Sequence, residues 1–192
     1  MDIVIDRISK SYGGKLVLDG FSAVIPEGKT TAVLAPSGAG KTTLLRILTG
    51  LEKPDSGSVQ GLEGKKISMV FQEDRLLLHA SAVRNILLTA PQLTAAECRE
   101  LLTEMGIAER DQEKEPVLNF SGGMKRRVAI ARALAADGNL LLLDEPFRGL
   151  DPETKEKVME CCLRRSSGKT VILVTHDESE TAAMRADRII RL

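Results

Sequence analysis

Nine consecutive residues carry the most specific chemistry in this chain: Ala35-Pro36-Ser37-Gly38-Ala39-Gly40-Lys41-Thr42-Thr43. They follow the β-branched run Thr30-Thr31-Ala32-Val33-Leu34 and lead into Leu44-Leu45-Arg46-Ile47-Leu48. The apolar residues of that second run recur at helical offsets, and Gly50 stands where a helix C-cap belongs. Strand, small-residue loop and helix in this order read as a phosphate cradle, because the N–H groups of the turn and of the helix N-terminus converge on one anion. Ser37, Gly38, Ala39, Gly40, Lys41, Thr42 and Thr43 are therefore the candidate nucleotide-binding residues. Lys41 supplies a point charge toward the β- and γ-phosphates, and the Thr42 hydroxyl is suited to ligate Mg²⁺. Ala35 occupies the first position, where the usual pattern has glycine.

A second constellation is Asp144-Glu145-Pro146, which ends the run Leu140-Leu141-Leu142-Leu143. A carboxylate at the C-terminal end of a central parallel strand stands where open α/β sheets bind ligands. Asp144 can hold Mg²⁺ there, directly or through water, opposite Thr42. Glu145, one residue on, can orient and polarise a water for in-line attack on a γ-phosphate. Without a phosphate loop in the same chain, the pair would read equally well as an acidic turn before a proline.

The elements that must position these residues emerge from the pattern. Ile3 to Ile8 alternates as a strand, and Lys15–Leu18 and Phe21–Ile25 supply two more around Gly13-Gly14 and Asp19-Gly20. Pro26-Glu27-Gly28 is a turn before the strand that enters the phosphate loop. Pro54-Asp55-Ser56-Gly57 is another turn, leading through Ser58-Val59 to the strand Ile67–Phe71. From Glu73 to Asp137 the texture is helical. Thr94 with Glu97 forms a capping box, Cys98, Leu101, Leu102 and Met105 form a buried stripe, and Gly106 ends that helix. Leu140–Leu143 and Val171–Val174 are continuous apolar runs of the kind that buried parallel strands require. Asp151-Pro152 opens a helix that Gly168 closes, Asp177 with Glu180 caps the next, and Asp187 to Leu192 forms a last short strand. The order gives one domain over 1–192, with β and α/β core in 1–72 and 138–192 and a helical subdomain in 73–137.

Composition narrows the partners. Lys+Arg and Asp+Glu balance at 27 each, so no global field draws the chain to nucleic acid or anionic lipid. With no Trp and one Tyr, base stacking has few platforms, and no nucleic-acid partner is expected. No apolar run approaches the roughly 18 residues of a membrane span. The start Met1-Asp2-Ile3-Val4-Ile5-Asp6 carries acids where a secretory signal carries bases, so no export signal is expected. Cys98, Cys161 and Cys162 have no metal-type spacing and read as reduced thiols on helices.

The chain resembles the ATP-binding cassette (ABC) family of transporter ATPases essentially end to end. Asn119-Phe120-Ser121-Gly122-Gly123-Met124, followed by Lys125-Arg126-Arg127-Val128, is similar to the signature loop of that family, with Phe120 and Met124 departing from its usual Leu and Gln. Ser121 reads independently as an N-cap, and Gly122 and Gly123 let the backbone approach a phosphate. Lys125 to Arg127 fall in the first helical turn, where the dipole disfavours cations, so a solvated face or a nearby anion is expected. The resemblance implies an α/β fold: a P-loop (RecA-like) parallel-sheet core, a small N-terminal antiparallel β subdomain and an inserted helical subdomain. It implies that Gln72 senses Mg²⁺ and the attacking water, that His176 stands near the γ-phosphate, and that Arg148-Gly149-Leu150-Asp151 passes signals between two cassettes. Asp151 has a simpler role as an N-cap before Pro152, and apart from the resemblance a lone His at a strand end, as His176 is, is more often a satisfied structural residue. Tyr12 resembles the aromatic that stacks on adenine, or packs as a strand aromatic in the core.

The family likeness further implies an ATPase subunit using ATP and Mg²⁺, with Ser121-Gly122-Gly123 of one copy closing over the ATP on the phosphate loop of another. The expected partners are a second cassette, transmembrane permease subunits docking near Gln72 and the helical subdomain, and an extracytoplasmic binding protein in the complex. The expected location is the cytoplasmic face of the cell membrane, held peripherally. Val70-Phe71-Gln72-Glu73-Asp74-Arg75-Leu76-Leu77 is similar to importers of the nitrate, sulfonate and taurine type. The rival readings are a soluble ABC ATPase outside transport, a P-loop kinase, and a nucleotide-binding scaffold without turnover. The kinase has no need of Ser121-Gly122-Gly123, Gln72 and His176 together, and Glu145 with His176 weakens the scaffold.

Overall fold

A computed structural model describes residues 1–36 and 38–192. Two sheets organise it. Strands β1 (Ile3–Tyr12), β2 (Lys15–Ile25) and β4 (Ser56–Gln60) form an antiparallel sheet in the order β2-β1-β4. Strands β3 (Thr30–Leu34), β5 (Ile67–Val70), β6 (Leu140–Asp144), β7 (Thr170–Thr175) and β8 (Arg188–Arg191) form a parallel sheet in the order β5-β6-β7-β3-β8. The α/β expectation therefore holds, with a small antiparallel sheet beside a parallel core.

The unbroken apolar runs have a direct cause. On β6, Leu140 and Leu142 join a cluster with Ile172, Val174, Val33 and the α1 residues Leu44, Leu45 and Leu48. Leu141 and Leu143 point the other way and pack with Val171, Leu173, Val128 and Cys162. Both faces of the central strands are covered, so the runs Leu140–Leu143 and Val171–Val174 are apolar at both register positions. Helix α1 (Lys41–Leu48) lies on the first side, and α5 (Gly122–Ala135) and α6 (Pro152–Arg165) on the second. Between β5 and β6 come α2 (Ala82–Leu87), α3 (Ala95–Glu104), α4 (Glu109–Gln112), a 3-10 turn at Val117–Asn119, and α5. Helix α7 (Glu178–Ala183) precedes β8.

Several local readings are confirmed. The Thr94–Glu97 capping box forms, and Cys98, Leu101, Leu102 and Met105 are buried. Asp151 caps α6 ahead of Pro152. All three cysteines are free and buried.

Others are corrected. Lys15–Leu18 and Phe21–Ile25 form one strand, and Asp19-Gly20 is a bulge within it. Between the pairs Ile8↔Phe21 and Lys10↔Leu18 the β2 side has one residue more, and the Gly20 N–H is met by Ser9 Oγ at 2.9 Å. Ser56–Gln60 is a strand where the residue pattern reads as a turn and connector. Its outer residues are exposed, and it exists because β1 offers Val4, Ile5 and Asp6 as antiparallel partners. Helix α6 stops at Arg165 rather than running to Gly168. Glu180 does not cap α7. It is buried, accepting from Thr175 Oγ1 at 2.5 Å and pairing with Lys155 at 2.7 Å. Tyr12 is exposed, which removes its core reading.

Candidate functional site

The parallel strands β3, β5, β6 and β7 all deliver their C-terminal ends to one edge, and that edge holds an open cleft of about 220 Å³. Its lining includes Val17, Gly38, Gly40, Lys41, Thr42, Thr43, Gln72, Asp144 and Glu145. Residues from separate parts of the sequence thus converge.

Helix α1 begins at Lys41 behind Gly40, whose φ of 95° is left-handed and suits glycine. A Cβ at Gly40 would also come within 2.9 Å of Leu18 Cδ2 and of the Val17 carbonyl, so β2 presses directly on the phosphate loop. The end of α1 is closed as its sequence predicts: Gly50, with φ 72°, donates to the Ile47 carbonyl. Ala35 is buried and is not among the described non-glycine residues with positive φ. Its methyl packs without backbone cost. Ser37 lies outside the described residues.

Lys41 is buried, and its ammonium donates to the carbonyls of Ala35 at 2.9 Å and Pro36 at 3.0 Å while pairing with Glu145 Oε1 at 3.2 Å. Thr42 Oγ1 donates to Asp144 Oδ2 at 3.3 Å. Burial first, then the neighbouring Glu145 charge, pushes the Asp144 carboxyl up, against the Thr42 hydrogen bond, Arg126 and Lys41. Burial works the same way on Glu145, but the Lys41 hydrogen bond and charge, with His176 and Arg148, hold it below its ordinary value. The two adjacent carboxyls are thus shifted in opposite directions, Asp144 upward and Glu145 downward.

Glu145 adopts φ 45°, an uncommon conformation for a residue with a Cβ, of a kind that costs about 1–3 kcal/mol. Its N–H donates to Val174 O at 2.9 Å, which fixes it between β6 and β7. Arg148 Nη1 lies 3.5 Å from its Oε2 and His176 Nδ1 3.5 Å from its Oε1. His176 therefore reaches the cleft through Glu145 rather than by lining it.

Not every candidate converges. Tyr12 stands exposed at the end of β1 with Lys10 Nζ 5.6 Å from its ring centroid. Ala39 is half-buried within the loop and does not line the cleft. Ser121, Gly122 and Gly123 begin α5 away from the cleft lining, with Ser121 Oγ accepting from the Met124 N–H at 3.2 Å. Asp151 caps α6 by accepting from Thr154 N–H at 3.0 Å. None of these lines the cleft.

Of the two alternatives for the cations after Ser121, a solvated face or a nearby anion, Arg126 takes the second, with Asp74 Oδ1 at 3.2 Å. Arg126 is buried, and Arg127 turns back to donate to the carbonyls of Met105 and Gly106 at the end of α3. Sequence reasoning misses Arg126 because a charged residue in a polar run reads as surface. Only the meeting of two distant strand ends reveals its acceptors.

With this geometry in view, comparison with known proteins is decisive. The ABC transporter family model matches residues 18–148. The chain belongs to the ABC transporter family. It is 40% identical over 194 residues to the aliphatic sulfonates import ATP-binding protein SsuB 1 of Mesorhizobium japonicum, covering 95% of this chain and 72% of that one. It is 38% identical over 211 residues to the bicarbonate transport ATP-binding protein CmpD of Synechococcus elongatus, covering 99% and 74%. Its fold matches the dimeric structure of MJ0796, a bacterial ABC transporter cassette, with a TM-score of 0.87 at 30% identity over 99% of this chain and 94% of that one. A post-hydrolysis dimer of MJ0796 bound to ADP and Pi matches with a TM-score of 0.83. This ABC protein is accordingly an ATP-binding subunit, an ATPase coupled to transport. Among the described residues no helix is long and apolar enough to cross a membrane.

Proposed function

We propose that this ABC subunit hydrolyses ATP with Glu145 as the water-orienting base and drives import through separate membrane subunits, from a peripheral position on the cytoplasmic face. The observation that carries the reading is the convergence of Lys41, Thr42, Gln72, Asp144 and Glu145 on one cleft. Gly38, Ala39 and Gly40 with the N-terminus of α1 would cradle the phosphates, with Ser37 and Thr43 beside them, and Lys41 would exchange its internal carboxylate for the β/γ-phosphates. That exchange also frees Glu145 to face a water. Thr42, Asp144 and Gln72 present oxygen donors from two sides of the cleft, a set that suits a hard cation, and Mg²⁺ held there would neutralise phosphate charge. His176, touching Glu145, would hold its carboxylate and approach the γ-phosphate. Tyr12 would stack on adenine at the rim.

The divided domain is part of the proposal: core in 1–72 and 138–192, helical subdomain in 73–137. Ser121, Gly122 and Gly123 of one copy would close on the ATP of another, with Asp151 near the junction, so that each site needs two chains. The relatives named for sulfonate and bicarbonate import support an importer of small anionic solutes, with cargo chosen by the membrane subunits and an extracytoplasmic binding protein.

The test is Glu145→Gln, assayed for steady-state hydrolysis and for nucleotide binding by calorimetry. Turnover should fall by about 10²–10⁴-fold, the range for loss of a general base, while ATP binding persists and the ATP-bound dimer accumulates on sizing. Robust hydrolysis by that variant would remove Glu145 from the mechanism.

A further inference from the structure

We propose that Arg126 is the positioning residue that sets the backbone of Gln72 and Glu145 together and links both to the helix opened by Ser121. The inference rests on the reading that Gln72 and Glu145 act on ATP. It adds a residue outside the cleft lining, on α5.

Arg126 is buried on the first turns of α5. Its Nη2 donates to the carbonyls of Asp144 at 2.8 Å and Glu145 at 2.6 Å, and its Nε to that of Pro146 at 2.9 Å. Its Nη1 donates to the carbonyls of Phe71 at 2.6 Å and Gln72 at 3.3 Å, and to Asp74 Oδ1 at 3.2 Å. One planar guanidinium therefore spends all its donor positions on the segments leaving β5 and β6. A flat, rigid fork of this kind fixes the two segments relative to each other, which a flexible ammonium cannot do.

Both segments hold a residue in an uncommon conformation. Glu145 has φ 45° and Arg75 φ 46°. The carbonyl of Glu145 is held by Arg126, and that of Arg75 by Arg132 Nη1 at 2.7 Å, further along the same helix. Arg132 also binds the Asp74 carbonyl at 3.0 Å. Helix α5 thus grips the whole stretch from Phe71 to Arg75. Any movement of α5, whose N-cap is Ser121, carries the backbone of Gln72 and Glu145 with it. Displacement of reacting groups by about 1 Å can cost about 10²-fold in rate, so the grip bears on turnover rather than on nucleotide affinity, because Arg126 does not line the cleft.

The experiment uses the full chain carrying Arg126→Lys or Arg126→Gln, with melting temperature, ATP affinity and turnover measured on each. The expected result is a folded protein that binds ATP within about threefold of the parent and turns over about tenfold or more slowly, with kcat lowered and KM nearly unchanged. Arg126→Gln combined with Glu145→Gln should turn over no more slowly than Glu145→Gln alone, because both act through one group. A folded variant with kcat within about twofold of the parent overturns the proposal, provided Glu145→Gln is dead. If Glu145→Gln is itself active, the underlying site reading has failed instead. Hydrogen exchange of the parent chain gives a readout that needs no variant: segments 71–75 and 145–148 should open in one step, and independent opening rates would refute the grip.

Discussion

Helices α1 and α5 both begin at small residues suited to a phosphate, yet their N-termini are finished in opposite ways. At α1 the cap is a left-handed glycine without a side-chain bond, and the first helical residue is a buried lysine. That lysine is answered from inside the chain by two carbonyls and by Glu145. At α5 the cap is the Ser121 hydroxyl, Ser121 and Gly122 are exposed, and Arg126 and Arg127 are turned inward to backbone carbonyls. The first end carries its own counter-charge. The second has two of its three cations, Arg126 and Arg127, turned into the protein, and leaves Ser121 and Gly122 exposed. A complete triphosphate site would need the charge of the first and the open face of the second, which is the physical case for a site shared between two copies.

Three changes probe that contrast, in order of expected size. Lys41→Ala should weaken ATP binding by about tenfold to a hundredfold, the range for losing a charge-assisted hydrogen bond. It should leave α5 and its surroundings unaltered by hydrogen exchange, and unchanged affinity in calorimetry would contradict the cradle. Gly40→Ala adds a methyl that meets Leu18 and the Val17 carbonyl at 2.9 Å at a left-handed position. It should cost about 1–3 kcal/mol of stability in denaturant unfolding and lower ATP affinity as well. A Gly122→Ala change, where a Cβ meets nothing within 4 Å, should be far milder in stability.

The smallest expected effect concerns how α3 is fastened to α6. Glu104 at the end of α3 pairs with Arg164 and Arg165 of α6. Arg165, against the opposing effect of burial and with help from Cys161 and Arg164, holds the Glu104 carboxyl down at about 2. A carboxylate so depressed contributes stability above the unfolded value of about 4.3 and loses it as pH falls toward the folded value of about 2. Its partly exposed position limits the contribution to about 1 kcal/mol. Glu104→Gln should therefore lower the melting temperature by a few degrees at pH 7 and flatten the acid limb below about pH 4.5. An unchanged acid limb would detach Glu104 from this role.

How much of this is legible in the sequence differs between the same two regions. The cleft residues announce themselves because their chemistry is local: a nine-residue loop, and two acids after four leucines. Apolar runs on β6 and β7 are equally plain, since burial on both faces excludes polar residues. Strand β4 is not legible, because an exposed edge strand needs only backbone partners and Ser56–Gln60 has no apolar alternation to betray them. The bulge at Gly20 reads as a turn because turn chemistry and bulge chemistry use the same residues. Arg126 escapes notice for a deeper reason. Its five carbonyl acceptors come from two strand ends more than fifty residues apart in sequence, so no local pattern points to them.

The central claim is that the site is divided between copies, and mixing two crippled chains tests it most directly. Lys41→Ala destroys the first half of each site, and Ser121→Arg blocks the second, so each variant alone should fail to form an ATP-induced dimer or to turn over. In a mixed pair, the intact phosphate loop of the Ser121→Arg chain faces the intact Ser121-Gly122-Gly123 of the Lys41→Ala chain. The account predicts that mixing restores an ATP-dependent dimer on sizing and turnover approaching about half of the parent, because the mixed pair is the only dimer that forms and it holds one good site of two. A mixture as inactive and as monomeric as its two components would contradict it.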